Sequence, residues 1–135
     1  MHHARCYCGK TSFEFADEPL AIAYCHCVDC RRWTGAVVSG FAAVAPRTLP
    51  NLGPPTTEIN GVRRWTCADC ASPLAAAFDY LPDQIYVPLG LFDDLDRLQP
   101  QVHCHADAAP RWLHIDDTLP RHTGSARDML NRSAP

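Results

Sequence analysis

The chain has 135 residues, 47% of them hydrophobic and 20% charged, the balance of a single globular domain spanning 1–135. Twelve Lys and Arg against fifteen Asp and Glu give a net charge of −3, and Lys10 is the sole lysine, so a broad phosphate-binding surface is excluded and no nucleic-acid partner is expected. No run approaches the roughly 18 apolar residues of a membrane helix, so no membrane partner is expected, and MHHARCYCGK lacks the apolar core of a secretory signal, which predicts a reducing cytoplasm.

Twelve prolines and seven glycines, spread along the chain, predict short strands and many turns. RCYCGKTSFEF reads as a hairpin turning at Cys8-Gly9-Lys10, with Phe13 and Phe15 alternating against Ser12 and Glu14. LAIAY reads as an apolar strand that leads into YCHCVDCRRW. Ala36 to Val44 reads as a buried strand with Gly40 as a bulge, and the segment from Pro46 to Pro55 as a proline-rich loop. Val62 to Cys67, PLAAAF and QIYVPLGLF read as three more strands, with Pro88 marking an edge or bulge in the last. LDRLQP predicts a short helical turn, and GSARDMLNRS a C-terminal helix capped by Ser125 with Asp128 three residues on. The fold class is mainly β.

The eight cysteines fall into short motifs. Cys6 and Cys8 form C-x-C, Cys25, Cys27 and Cys30 form C-x-C-x-x-C, Cys67 and Cys70 form C-x-x-C, and Cys104 stands alone. In a reducing compartment such spacings favour metal ligation over disulfides, the other reading of eight cysteines. Zinc binds thiolate at about 2.3 Å in a tetrahedron, which sets neighbouring sulfurs roughly 3.8 Å apart. Cys6, Cys8, Cys67 and Cys70 make one complete site, a structural zinc that staples distant segments. Cys25, Cys27 and Cys30 make a site with one position open, the mark of a catalytic zinc. His26, Asp29, Cys104, His103, His105 and His114 are the side chains that would close that position and turn the second site structural; Cys104 alone otherwise reads as a small buried hydrophobe. His26 lies between two ligand cysteines and points to the opposite face if the segment is extended.

These motifs, in this order, resemble the glutathione-dependent formaldehyde-activating enzyme family, also called Gfa-like or centromere-protein-V-like, with an Mss4-like zinc fold. The resemblance is carried by Cys6-Tyr7-Cys8-Gly9, by Cys25 to Gly35, by Cys67 to Leu74, by Arg111-Trp112-Leu113-His114, and by DDxLPR from Asp116 to Arg121. It spans about residues 5–121 and leaves 122–135 as a C-terminal extension. It implies several coiled β-sheets stapled by zinc, a structural zinc on Cys6, Cys8, Cys67 and Cys70, and a catalytic zinc on Cys25, Cys27 and Cys30. It also implies a carbon–sulfur lyase that adds the sulfur of glutathione to formaldehyde, giving S-hydroxymethylglutathione. The chain departs from the family at Ala71, where glycine is usual; alanine takes a positive φ there at a cost of about 1 kcal/mol. It departs again at Ala75-Ala76-Ala77, where bulkier residues are common and a smaller pocket lining follows.

The expected partner is a small thiol such as glutathione, bound at the open position as thiolate. Arg31 and Arg32 would hold its carboxylates by bidentate bonds, with Trp33 beside them; the plainer alternative pairs them with surface acids. Arg63 and Arg64 read as strand residues with one side chain on each face. Trp112 and His114 read as packing residues, and Asp116 and Asp117 as turn residues. A non-catalytic interaction module with both zinc sites structural is the contrasting class.

Overall fold

The computed structural model describes residues 1–125. The C-terminal helix expected after Ser125 lies outside the described residues. Strands β1 (His2–Arg5) and β2 (Ser12–Phe15) pair antiparallel as a hairpin of their own. The other strands, β3 (Ala21–Cys25), β4 (Ser39–Val44), β5 (Thr57–Ile59), β6 (Val62–Thr66), β7 (Pro73–Phe78), β8 (Ile85–Pro88) and β9 (Val102–Cys104), form a sheet in the order β5-β6-β7-β8-β4-β3-β9. Every pairing in it is antiparallel except β3 with β9. Helix α1 (Val28–Thr34) joins β3 to β4.

The central strands are buried on both faces, so they read as unbroken apolar runs rather than alternating ones. Ala75, Ala76 and Ala77 on β7 are at most 1% exposed and sit inside the core. Small side chains there let the neighbouring layers approach; they do not line the pocket described below, contrary to the sequence expectation. The hairpin docks through Phe15, whose ring lies 5.7 Å from that of Phe92, and through the Asp93 N–H, which donates to the His3 carbonyl at 2.9 Å.

Two local expectations change. Gly40 is no bulge, because Tyr24↔Gly40 falls within an unbroken register. Glycine is needed instead for a close approach: a Cβ there would lie 2.5 Å from Leu89 Cδ1. Pro88 ends β8, an interior strand, at the point where a 3-10 turn (Leu89–Leu91) begins, so its missing N–H costs no ladder bond beyond the strand end. The hairpin turn, the β3, β6 and β7 strands and the helical turn at Leu95–Arg97 fall where the sequence puts them. Helix α1 and the short strands β5 and β9 do not announce themselves in the sequence.

Candidate functional site

The four-cysteine cluster is built from two facing turns. In the first, the Gly9 N–H donates to the Cys6 carbonyl (3.1 Å), the Cys6 N–H donates to the Thr11 carbonyl (3.0 Å), and Gly9 takes φ +80°. The second repeats the pattern. The Ala71 N–H donates to the Cys67 carbonyl (2.8 Å), the Cys67 N–H to the Ser72 carbonyl (3.0 Å), and Ala71 takes φ +62°. Ala71 thus adopts the left-handed backbone that favours glycine. A register shift at Trp65/Thr66 turns the end of β6 so that it delivers Cys67.

The turns are tied to each other by the Tyr7 N–H, which donates to Ser72 Oγ at 3.0 Å, and by a Lys10–Asp69 ion pair of 3.3 Å on the surface. Sulfur–sulfur separations of 3.5 Å (Cys6–Cys8) and 3.8 Å (Cys8–Cys67) match the edge of a tetrahedral thiolate site. All four sulfurs lie within 4.8 Å of one another, and the cluster can hold a metal ion. The N–H groups of the turns point at the sulfurs, as in Thr11 N–H to Cys6 Sγ (3.4 Å). That bond is the main reason Cys6 is pulled below an ordinary thiol, and hydrogen bonds from Ser72 bring Cys70 down to about 6.

The three-cysteine cluster is built differently. Cys25 ends β3, Cys27 is the N-cap of α1, and Cys30 sits in its first turn. The Cys30 N–H donates to Cys27 Sγ at 3.2 Å, so a thiol takes the place usually held by Ser, Thr, Asp or Asn. Asp29 in the first turn and Arg31 and Arg32 in the last complement the helix dipole, and Gly35 (φ +76°) closes the helix through its N–H to the Arg31 carbonyl.

The three sulfurs also lie within 4.8 Å of one another and can hold a metal ion. Hydrogen bonds from Cys25 and Cys30, and then the Cys30 N–H, hold the Cys27 thiol down to about 2 against its burial. Bonds from Cys27 and Cys30, then burial, push Cys25 far up. At Cys30 the bond with Cys25 pulls down, but the bond with Cys27 and burial outweigh it and lift the thiol to about 12; the positive charge of Arg64, the weakest influence, favours its thiolate. One negative charge therefore concentrates on the N-cap sulfur.

Among the described residues, no His, Asp, Glu or further Cys joins this trio. His26 is turned away. Its Nε2 lies 2.8 Å from His103 Nδ1, whose own Nε2 lies 2.8 Å from Asp117 Oδ2. The carboxylate accepts from His103 Nε2–H, which leaves His103 Nδ1 to accept from His26 Nε2–H. His26 Nδ1 is then a buried acceptor with no partner among the described residues. The rings stack: Tyr24 lies 4.7 Å and His26 5.1 Å from His103. Arg121 completes the chain by donating to Asp117 Oδ1 (3.0 Å) and to the Ile115 carbonyl (2.9 Å).

The sequence offered no signal for this buried chain beyond the DDTLPR segment itself, where Asp117 had read only as a turn residue. Burial, followed by the His103 and Arg121 charges, lowers the His26 pKa, while the His103 hydrogen bond keeps Asp117 below the ordinary carboxylate value.

The trio opens into a small pocket of about 40 Å³. Its walls are Phe41, Phe78, Tyr80, Leu81, Tyr86 and Cys104, with His105 and Ser125 at its polar side. Cys104 is buried, and burial followed by the Cys27 charge raises its thiol to about 11. Arg31, Arg32 and Trp33 do not line this pocket. Trp33 packs on the core beside the trio, with the Arg64 guanidinium 4.4 Å from its ring centroid. Trp112 is 67% exposed rather than packed, because it falls in a turn closed by the Leu113 N–H to the Pro110 carbonyl (3.1 Å); His114 beside it is exposed too.

The chain belongs to the glutathione-dependent formaldehyde-activating enzyme family, whose model matches residues 1–108. That match holds all three cysteine motifs and stops before DDTLPR. A comparison with curated proteins gives no match. A crystal structure of a protein from Rhodobacter sphaeroides is similar at 16% identity, covering 89% of this chain and 99% of that one, with a TM-score of 0.49. No helix among the described residues is long and apolar enough to cross a membrane.

Proposed function

We propose that the chain is a zinc-dependent carbon–sulfur lyase of the formaldehyde-activating type, acting on a small thiol such as glutathione. The observation that carries this reading is the contrast between a closed set of four thiols and a set of three that opens on a pocket. Cys6, Cys8, Cys67 and Cys70 would hold a structural zinc, and Cys25, Cys27 and Cys30 a catalytic one. The donor sets fit: soft thiolates at tetrahedral spacing are the ligands zinc prefers. On the trio, zinc would supply a Lewis acid that lowers the pKa of a substrate thiol.

The protein's own groups set up the rest. The forward step forms an S–C bond between the thiol sulfur and the carbonyl carbon, and the thiol proton ends on the former carbonyl oxygen; the lyase direction reverses both changes. Phe41, Phe78 and Leu81 keep bulk water from the reacting atoms. Tyr80 is pushed up to about 12, by burial first and by the cysteines next, so it keeps its proton at neutral pH and offers an O–H to the substrate oxygen from the pocket wall. The stacked His26–His103 pair and Asp117 brace the segment between Cys25 and Cys27 from behind.

The test follows carbon-13 formaldehyde and glutathione by NMR, with exchange into S-hydroxymethylglutathione as the signal. Zinc-loaded protein is expected to speed that exchange well above background, and Cys27→Ser to return it to background. Equal background rates for both proteins would refute the activity.

A further inference from the structure

The pocket at the trio raises a difficulty for a charged thiol. Apart from the cysteines and His105, its described walls carry no ionisable groups other than tyrosine hydroxyls, and it contains no Arg or Lys. It suits the carbon that sulfur carries, not the carboxylates and ammonium of a peptide thiol. Those groups need a place of their own, and one is present beside α1.

A cleft of about 200 Å³ lies there, lined by Asp29 and Arg32 from α1, Arg64 and Val62 from β6, and Thr57 and Asn60 from the β5 hairpin. Arg64 is only 9% exposed, and its Nη1 is enclosed with no hydrogen-bond partner among the described residues. Among the described residues its guanidinium is held by rings, 4.4 Å from Trp33 and 5.9 Å from Phe78. A buried guanidinium without an anion is costly, and stacking on rings offsets only part of that cost. Arg32, three residues after Asp29 on α1, makes no ion pair among the described residues. Asp29 adds one negative charge to two positive ones. Two forked donors beside one acceptor match a group that is both carboxylate and ammonium, and the single net positive charge disfavours a dianionic phosphate.

The cleft is also wired to the chemistry. Asp29 directly precedes Cys30 on α1 and Arg32 follows it by two residues, and Phe78 is shared between Arg64 and the wall of the trio's pocket.

From these contacts we infer that the Asp29–Arg32–Arg64 cleft is the subsite for the α-amino carboxylate of the thiol substrate. The inference rests on the thiol reading above. It separates the roles of the residues after Cys30: Arg32 binds the carboxylate, and Trp33 holds Arg64 in place for the same task rather than touching the reacting atoms.

The test uses the full chain with cobalt(II) in place of zinc and reads the sulfur-to-cobalt absorption band during titration with glutathione and with 2-mercaptoethanol. The wild type is expected to bind glutathione about tenfold or more tightly, the worth of one charge-assisted pair. Arg32→Gln and Arg64→Gln should each bring the ratio of the two constants close to one. Arg32 is exposed, so its variant remains informative if Arg64→Gln fails to fold. A parallel titration with S-methylglutathione, which has no thiol, follows the indole N–H signal of Trp33 by NMR. It is expected to shift in the wild type and not in Arg32→Gln. A ratio near one in the wild type, or a ratio unchanged in both variants, overturns the subsite. If neither thiol alters the cobalt band while S-methylglutathione still shifts Trp33, the thiol reading fails and the subsite stands.

Discussion

The two cysteine clusters use the same donor atom and opposite architecture. The four-thiol cluster joins two turns 59 residues apart, as in the Cys8–Cys67 contact, and each turn satisfies its own backbone and aims spare N–H groups at sulfur. Nothing is left for a substrate to complete. The three-thiol cluster is local, confined to Cys25–Cys30, and is held from outside by the core, by helix α1 and by the His26–His103–Asp117 chain. It opens on a pocket. A ligand set that staples distant chain must be closed to be strong, whereas a set already positioned by the fold can spare a coordination position.

The largest effect should come from breaking the staple. Binding of a structural zinc is worth about 10 kcal/mol or more, comparable with the whole stability of a domain, about 5–15 kcal/mol. Cys67→Ser is therefore expected to abolish cooperative melting in calorimetry. Cys27→Ser should keep a cooperative transition, weakened by no more than about 1–3 kcal/mol, while losing one bound metal by elemental analysis. Similar melting for the two variants would erase the distinction between the clusters.

Next comes the brace behind the trio. Asp117→Asn removes the anionic acceptor for buried His103 and should lower the midpoint of chemical denaturation. The pH dependence follows from the shifts. His26 has a lowered pKa in the folded state, so its contribution is present above the ordinary 6.5 and is lost as pH falls below it. Asp117 is also lowered, so its contribution is present above the ordinary 3.8 and is lost as pH falls from there through its depressed folded value. The melting temperature of the wild type should thus decline from just below pH 6.5 downward, and Asp117→Asn should decline less steeply below pH 3.8. A flat acid limb in the wild type would contradict the brace.

The smallest effect belongs to Ala71. Glycine at φ +62° removes about 1 kcal/mol of backbone strain, offset in part by the freer unfolded chain, about 0.4–1 kcal/mol. Ala71→Gly should therefore change stability by well under 1 kcal/mol, measured by urea denaturation, and leave the three-thiol site untouched.

The cysteine motifs were legible in the sequence because sulfur spacing is a local property. C-x-C and C-x-x-C each fix half a site within one turn, so the partition into four and three needs no knowledge of the fold. The left-handed Ala71 was foreseen from the resemblance, since the family usually carries glycine there. Helix α1 was not, since its N-cap is Cys27 and its seven residues include Val28, Trp33 and Thr34, none a strong helix former. The His26–His103 contact spans 77 residues and depends on the parallel pairing of β3 with β9, which no periodicity in a three-residue strand reveals. Arg64 was placed correctly on a strand, but its burial under Trp33 is a tertiary fact.

The central claim is that one thiol cluster is closed and the other has a place for a substrate sulfur. Zinc X-ray absorption on the fully loaded chain, with and without glutathione, tests it most directly. The account predicts about three and a half sulfurs per zinc averaged over both sites in the resting protein, rising to about four when thiol is added, at about 2.3 Å. Four sulfurs per zinc from the outset, unchanged by glutathione, would mean that both sites are structural and would contradict it.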